Sequence, residues 1–158
     1  MPDSIVKQTL REVAPLDADE PIGPAARRVI AEGLPALPAV DRDGGFLGVF
    51  GEREFMQALF PGYVGELASA AMVSRSVDET IERRAECAEQ PIRRWLTTDH
   101  ILVEDDYSDT QLAETFIHHR VLIVPIATAG RVHAVITRND FFRTLVTRFG
   151  ELAEDLGD

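Results

Sequence analysis

A hydroxyl, a guanidinium and a carboxylate stand close together at Thr137-Arg138-Asn139-Asp140, where an apolar run gives way to a helical pattern. A helix beginning at Thr137 aims unpaired backbone N–H groups and the positive end of its dipole outward, which suits an anion. The threonine hydroxyl adds a donor, and the Arg138 guanidinium is shaped for phosphate. Asp140 offers two acceptor oxygens of the kind that hold a sugar diol. The same residues admit a plainer role. Thr-x-x-Asp is a helix-capping pair, in which the hydroxyl accepts from an early helix N–H and the carboxylate reaches back.

The remaining polar residues point away from catalysis. All four histidines, His100, His118, His119 and His133, lie in the second half of the chain. His118 and His119 are adjacent, about 100° apart on a helix, and do not form the i,i+4 pair of a helical metal site. Asp105-Asp106 and Asp109 precede a helix, where carboxylates favour the dipole. No Ser/Cys–His–acid set of recognisable spacing and no Gly-rich phosphate loop occurs, so no enzyme is expected. Trp95 reads as a core or interface anchor. Cys87 is the single cysteine, which excludes an internal disulfide framework and suits a reducing cytosol. The net charge of −11 opposes nucleic-acid binding. The doublets Arg27-Arg28, Arg83-Arg84 and Arg93-Arg94 have carboxylates close by and read as solvated helix faces. No apolar run approaches the roughly 20 residues of a membrane span, and MPDSIVKQTL is not a secretory signal. The expectation is a soluble cytoplasmic protein with no nucleic-acid or membrane partner.

An internal repeat positions these groups. Residues 34–60 and 121–146 share one pattern. Each has an apolar strand ending at a proline (Pro38, Pro125), a Gly-containing turn (Asp43-Gly44-Gly45, Ala129-Gly130), a second apolar strand (46–50, 132–136) and a helix. The helix registers correspond, Phe55, Met56, Leu59 and Phe60 answering Phe141, Phe142, Leu145 and Val146. Such a repeat implies two similar units that bury apolar faces. Each strand pair is preceded by a short extended segment and a helix. The first helix covers about 22–32 with a stripe of Ile22, Ala25, Ala26, Val29 and Ile30, and Gly33 is its left-handed cap. The second carries Leu112, Ala113, Phe116 and Ile117 and ends near His119-Arg120. Two prolines make 34–38 a strand start or edge, whereas 121–126 reads as a strand buried on both faces. Residues 61–90 are too long for a bare loop. They hold a turn at Pro61-Gly62, a capping box at Ser76-Val77-Asp78-Glu79, and an exposed helix with Glu79 placed to pair with Arg83. The division is then 1–60 first repeat, 61–90 helical insert, 91–149 second repeat, and 150–158 an acidic tail that frays.

Three features recur twice at nearly equal spacing: a hydrophobic-Pro-hydrophobic strand end (Leu37-Pro38-Ala39, Val124-Pro125-Ile126), the turn, and a segment (48–54, 134–140) that approximates the form Gly-hydrophobic-x-Ser/Thr-x-x-Asp. Their order resembles the cystathionine-β-synthase (CBS) domain, whose paired copies form a Bateman module, over about residues 6–60 and 90–147. The resemblance implies an α/β (α+β) fold of tandem β-α-β-β-α repeats related by a pseudo-two-fold axis, with two clefts between them. In the family those clefts commonly hold AMP, ADP, ATP or S-adenosylmethionine. On that resemblance, Thr137 and Asp140 fill the positions that meet phosphate and ribose, with Arg138 beside them. Ile101 and Leu102 lie in the segment that lines the adenine end, or are plain core residues. Ala134 stands where the family usually has glycine, placing a methyl group where backbone would approach the ligand.

The halves are unequal. Gly48-Val49-Phe50-Gly51-Glu52-Arg53-Glu54 keeps a cap in the first half but lacks the hydroxyl, and its carboxylate is one methylene longer. One nucleotide site per chain, in the second half, is the expectation. The implied protein is a stand-alone regulatory module that senses an adenosine nucleotide by population shift and acts on an unnamed regulated protein. The alternative is a ligand-free dimeric interaction scaffold. The apolar residues of the two repeat helices, with Phe149, exceed what one unit's sheet covers. A homodimer through the helices after Gly51 and Thr137, extended by 61–90, is therefore expected.

Overall fold

The computed structural model describes residues 4–61 and 76–157. Its elements in chain order are α1 (Ile5–Thr9), β1 (Arg11–Glu12), β2 (Leu16–Asp17), α2 (Ile22–Glu32), β3 (Ala36–Val40), β4 (Phe46–Gly51) and α3 (Glu52–Leu59), followed by α4 (Val77–Arg84), β5 (Val103–Glu104), α5 (Asp109–His118), β6 (Ile123–Thr128), β7 (Arg131–Thr137) and α6 (Arg138–Gly157). Short 3-10 turns cover Ala85–Glu89 and Ile92–Trp95. The mixed α/β class with two small sheets is the one the repeat implies. The chain forms two compact units, Pro15–His100 on one hand and the residues up to Ala14 with those from Ile101 on the other. Their boundaries cross the sequence repeats, because the first fourteen residues belong with the second strand pair.

In the unit Pro15–His100, the sheet order is β2-β3-β4, with β2 parallel and β4 antiparallel to β3. Pro38 lies inside the central strand rather than at an edge. Pairing with β2 begins one residue later, at Ala39 opposite Leu16, so the missing proline N–H takes nothing from that ladder. The α2 boundaries match the periodicity, and Gly33 caps it at φ 68°. Ile22, Ala25 and Val29 are buried, but Ile30 is exposed. A 3.6-residue period places it roughly 80° round from Ile22, on the flank of the stripe. The Ser76 hydroxyl accepts from Glu79 N–H at 3.2 Å and starts α4, whose residues are not buried. The turn read at Pro61-Gly62 falls partly outside the described residues. Thr97 runs antiparallel beside β4, exchanging two 3.1 Å backbone bonds with Val49. Gly48 permits this approach, since a Cβ there would sit 2.5 Å from the Thr97 carbonyl oxygen.

The other unit has the order β1-β7-β6-β5, with β1 and β6 antiparallel to β7 and β5 parallel to β6. β6 is a buried strand, as its apolar sequence implies, but it runs Ile123–Thr128 rather than 121–126, with Leu122 exposed before it. Pro125 repeats the arrangement at Pro38, with β5 joining one residue later at Ile126. Ile5 and Val6 of α1 join Leu112, Val124, Ile136 and Phe141 in one core. Phe116 and Phe141 lie with ring centroids 5.5 Å apart. Helix α6 continues to Gly157, through the segment whose acidity suggested fraying.

Asp109 binds α1 into this unit. Its carboxylate accepts from the N–H groups of Ile5 (3.0 Å) and Val6 (2.9 Å) and from the Ser4 hydroxyl (2.8 Å). Burial alone would raise its pKa. The Val6, Ile5 and Ser4 bonds and the Arg148 charge outweigh that effect and hold it below the usual carboxylate value. A depressed folded-state pKa contributes stability that is present above the unfolded value and lost as pH falls through the folded one. Asp109→Ala is expected to cost about 1–2 kcal/mol at neutral pH, as loss of a helix N-terminal acceptor does. The gap from wild type, measured by thermal melts, should narrow as the pH drops below about 4. A gap that stays constant down to pH 3 would contradict this role.

Candidate functional site

The candidate residues gather at the end of the four-stranded sheet where β7 stops and α6 begins. Thr137 closes β7 opposite Ile123, and its side chain is buried. Its Oγ1 accepts from Asp140 N–H at 3.0 Å, so the cap is formed, and its own proton is left to donate. Arg138 is exposed. Its backbone N–H donates to the Leu122 carbonyl at 2.9 Å. Two of the first three amides of α6 are thus engaged within the chain. The helix start consequently presents fewer open N–H groups than its sequence implies.

The Asp140 carboxylate does not reach back to the cap. Arg11 holds it with two parallel bonds, Nε to Oδ2 at 2.7 Å and a terminal nitrogen to Oδ1 at 3.0 Å. Arg11 is placed there because β1 pairs with β7 at Arg11 opposite Val135, two residues before the cap. Bidentate geometry of this kind is the strong form of the arginine–carboxylate pair. Arg11 is the residue that sequence reading missed. Its partner lies 129 positions away and no local pattern joins them.

Ile101 and Leu102 enter β5 from this same end of the sheet, both half-buried. Two strand spacings, about 10 Å, separate β5 from β7. Ile101 packs against the unit's core, which supports its structural role alongside any contact to a ligand. Ala134 is fully buried in that core, with its methyl group among core side chains. His133 Nε2 meets the Thr128 hydroxyl at 2.7 Å, and that hydroxyl donates to Asp105 at 2.8 Å, near the β6–β7 turn at the other end of the hairpin. Among the described residues no group of three or more His, Cys, Asp or Glu side chains could hold a metal, and no helix is long and apolar enough to cross a membrane.

The corresponding positions in the other unit are built differently. Gly51 precedes α3 with no side-chain cap. A Cβ at Gly51 would press on the Pro35 carbonyl oxygen and on Ala36. Glu54, the counterpart of Asp140, is buried, and its Oε2 accepts from the Thr97 hydroxyl at 2.7 Å. Thr97 lies opposite Val49, as Arg11 lies opposite Val135. Each unit therefore sends a cross-strand side chain onto the acid of its motif. One contact is a partly exposed ion pair and the other a bond from a half-buried neutral donor to a buried acid, so only the Asp140 arrangement leaves the acid of the motif within reach of solvent.

Residues 6–61 match the family model of the CBS domain. No curated protein sequence matches the chain. Among solved structures, a CBS-domain protein from Agrobacterium tumefaciens is 22% identical over 88% of each chain, with a TM-score of 0.63. A putative acetoin utilization protein (AcuB) from Vibrio cholerae is 18% identical over 98% of each chain, with a TM-score of 0.68. The protein CBSX2, solved in complex with AMP, is 13% identical over 90% of this chain and 96% of its own, with a TM-score of 0.64.

Proposed function

We propose that this chain, which carries a CBS domain over residues 6–61 and has the fold of CBS-domain proteins, is a regulatory module that binds an adenosine nucleotide of the AMP, ADP or ATP type. The ligand site is the end of the sheet at Thr137. The observation that carries this reading is the convergence there of a buried hydroxyl, a carboxylate and two arginines, Arg11 and Arg138, in a chain of net charge −11. Cations concentrated at one point of an acidic protein favour a compact anion. The Thr137 hydroxyl and Arg138 take phosphate. Asp140 takes the ribose diol once Arg11 swings aside. Ile101 and Leu102 stand about a nucleoside's length away and face the base. The AMP complex of the similar fold supports the same ligand class. Regulation follows from differential affinity: a nucleotide shifts the balance between two states of the module by no more than the difference in its binding to them.

A second reading, a ligand-free dimeric scaffold, is favoured by one specific observation. The Thr137 cap and the Arg11–Asp140 pair satisfy both motif residues without a ligand. Both readings include a homodimer through the helices that follow Gly51 and Thr137. Thermal stability separates them. At a nucleotide concentration a hundred times Kd, binding to the folded state adds about 2.7 kcal/mol. The melting temperature should rise with AMP, ADP or ATP, and an unmoved melting curve at millimolar nucleotide would leave the scaffold.

A further inference from the structure

Strand β1 carries Arg11 and is lightly held. Before it, α1 buries Ile5, Val6 and Thr9 and is bound at its N-terminus by Asp109. β1 itself is two residues long, lies at the edge of the four-stranded sheet and buries neither side chain. It is attached to β7 by the pairing of Arg11 with Val135 and of Glu12 with Ala134, and by the Arg11–Asp140 ion pair. A bond from Val13 N–H to the His133 carbonyl at 2.9 Å follows directly. An edge segment with few buried contacts opens locally before the rest of its unit does. After three further residues the chain enters β2, the first strand of the other compact unit.

The ion pair occupies the carboxylate that a ribose diol takes, so ligand and strand compete for Asp140. Competition of this kind is reciprocal. A ribose on Asp140 displaces the Arg11 guanidinium, whose side chain is 45% exposed and has room to turn. A phosphate held at Thr137 and Arg138 then offers that guanidinium a new anion beside the old one. We propose that β1 is a clasp that reads the phosphate of the bound ligand. A nucleotide exchanges one anion for another at Arg11 and leaves β1 docked. The bare nucleoside takes Asp140, returns nothing to Arg11 and loosens β1. Because α1 stays anchored by its buried residues and Asp109, the loosening is confined to the stretch that leads into β2. The clasp rests on the nucleotide reading of the Thr137 site and deepens it, by naming the element through which binding there is passed on.

Amide hydrogen exchange across residues 10–13 of the full chain, with calorimetry on the same samples, tests the clasp. Saturating adenosine should speed exchange there by up to about fivefold, the most that a partly exposed ion pair supports. AMP should leave it at or below the ligand-free rate, and residues 5–9 should keep their rate throughout. Arg11→Met should exchange at the fast rate without ligand and respond to neither compound. Where calorimetry shows AMP bound, an exchange rate that adenosine does not change would overturn the clasp and leave the nucleotide site standing. A response to AMP as large as that to adenosine, or a response that persists in Arg11→Met, would also overturn the clasp alone. No calorimetric binding of either compound would overturn the nucleotide reading and the clasp with it.

Discussion

Gly51→Thr, which would complete the motif of the first half, is expected to destabilise the unit Pro15–His100 by about 3 kcal/mol rather than to create a second ligand site. The added Cβ meets the carbonyl of Pro35 and the backbone and side chain of Ala36, atoms fixed by the β3–β4 ladder. Glu52 N–H also donates to the same Pro35 carbonyl at 3.0 Å, so moving that oxygen away would disturb the start of α3. Close approach, not backbone conformation, requires the glycine, since its φ of −168° is ordinary extended backbone. Thr137 shows the contrast. It is a β-branched residue at the matching point, where the β6–β7 pair leaves room for its side chain. Chemical denaturation of Gly51→Thr checks this directly. A variant as stable as wild type would show that the first half lost its hydroxyl for reasons other than packing.

Asp140→Ala and Arg11→Met are expected to move ligand affinity in opposite directions. Hydrogen bonds to a charged group contribute about 1.5–3 kcal/mol, so losing the Asp140 carboxylate should weaken AMP binding by roughly 10- to 100-fold. Arg11→Met releases Asp140 from its intramolecular partner. The pair is partly solvent-exposed and accordingly worth at most about 1 kcal/mol. Adenosine, which has no phosphate to gain from Arg11, should then bind up to about fivefold more tightly. Calorimetric titration of both variants with AMP and adenosine measures this. Equal affinities in wild type and Asp140→Ala would remove Asp140 from the site. A loss of adenosine binding in Arg11→Met would mean that Arg11 positions Asp140 instead of competing for it.

Local pattern carried much of this fold. The α2 boundaries with Gly33, a buried strand after Arg120 and the Thr137 cap all follow from spacing within a dozen residues. What pattern could not reach was pairing across the chain. β1 joins β7, Asp109 caps α1, and Arg11 takes Asp140, each over more than a hundred positions. These contacts also explain why the compact units cross the repeat boundaries. Charge concealed a further feature. The acids of 150–158 suggested a frayed tail, while Leu152 and Leu156 carry the exposed apolar row of α6 on among them. Composition alone hides a stripe that periodicity reveals. At Pro38, the general rule that proline avoids central strands lost to a detail of register, the late start of the parallel neighbour.

The central claim is a single nucleotide site per chain at Thr137, and calorimetric titration of the wild-type protein with AMP tests it most directly, with Thr137→Val run beside it. Valine keeps the shape of the side chain and removes only the hydroxyl, at a cost to the cap of about 1 kcal/mol. The account predicts one strong site per chain, weakened at least tenfold in Thr137→Val. Two equal sites, no binding at all, or one site indifferent to Thr137→Val would contradict it.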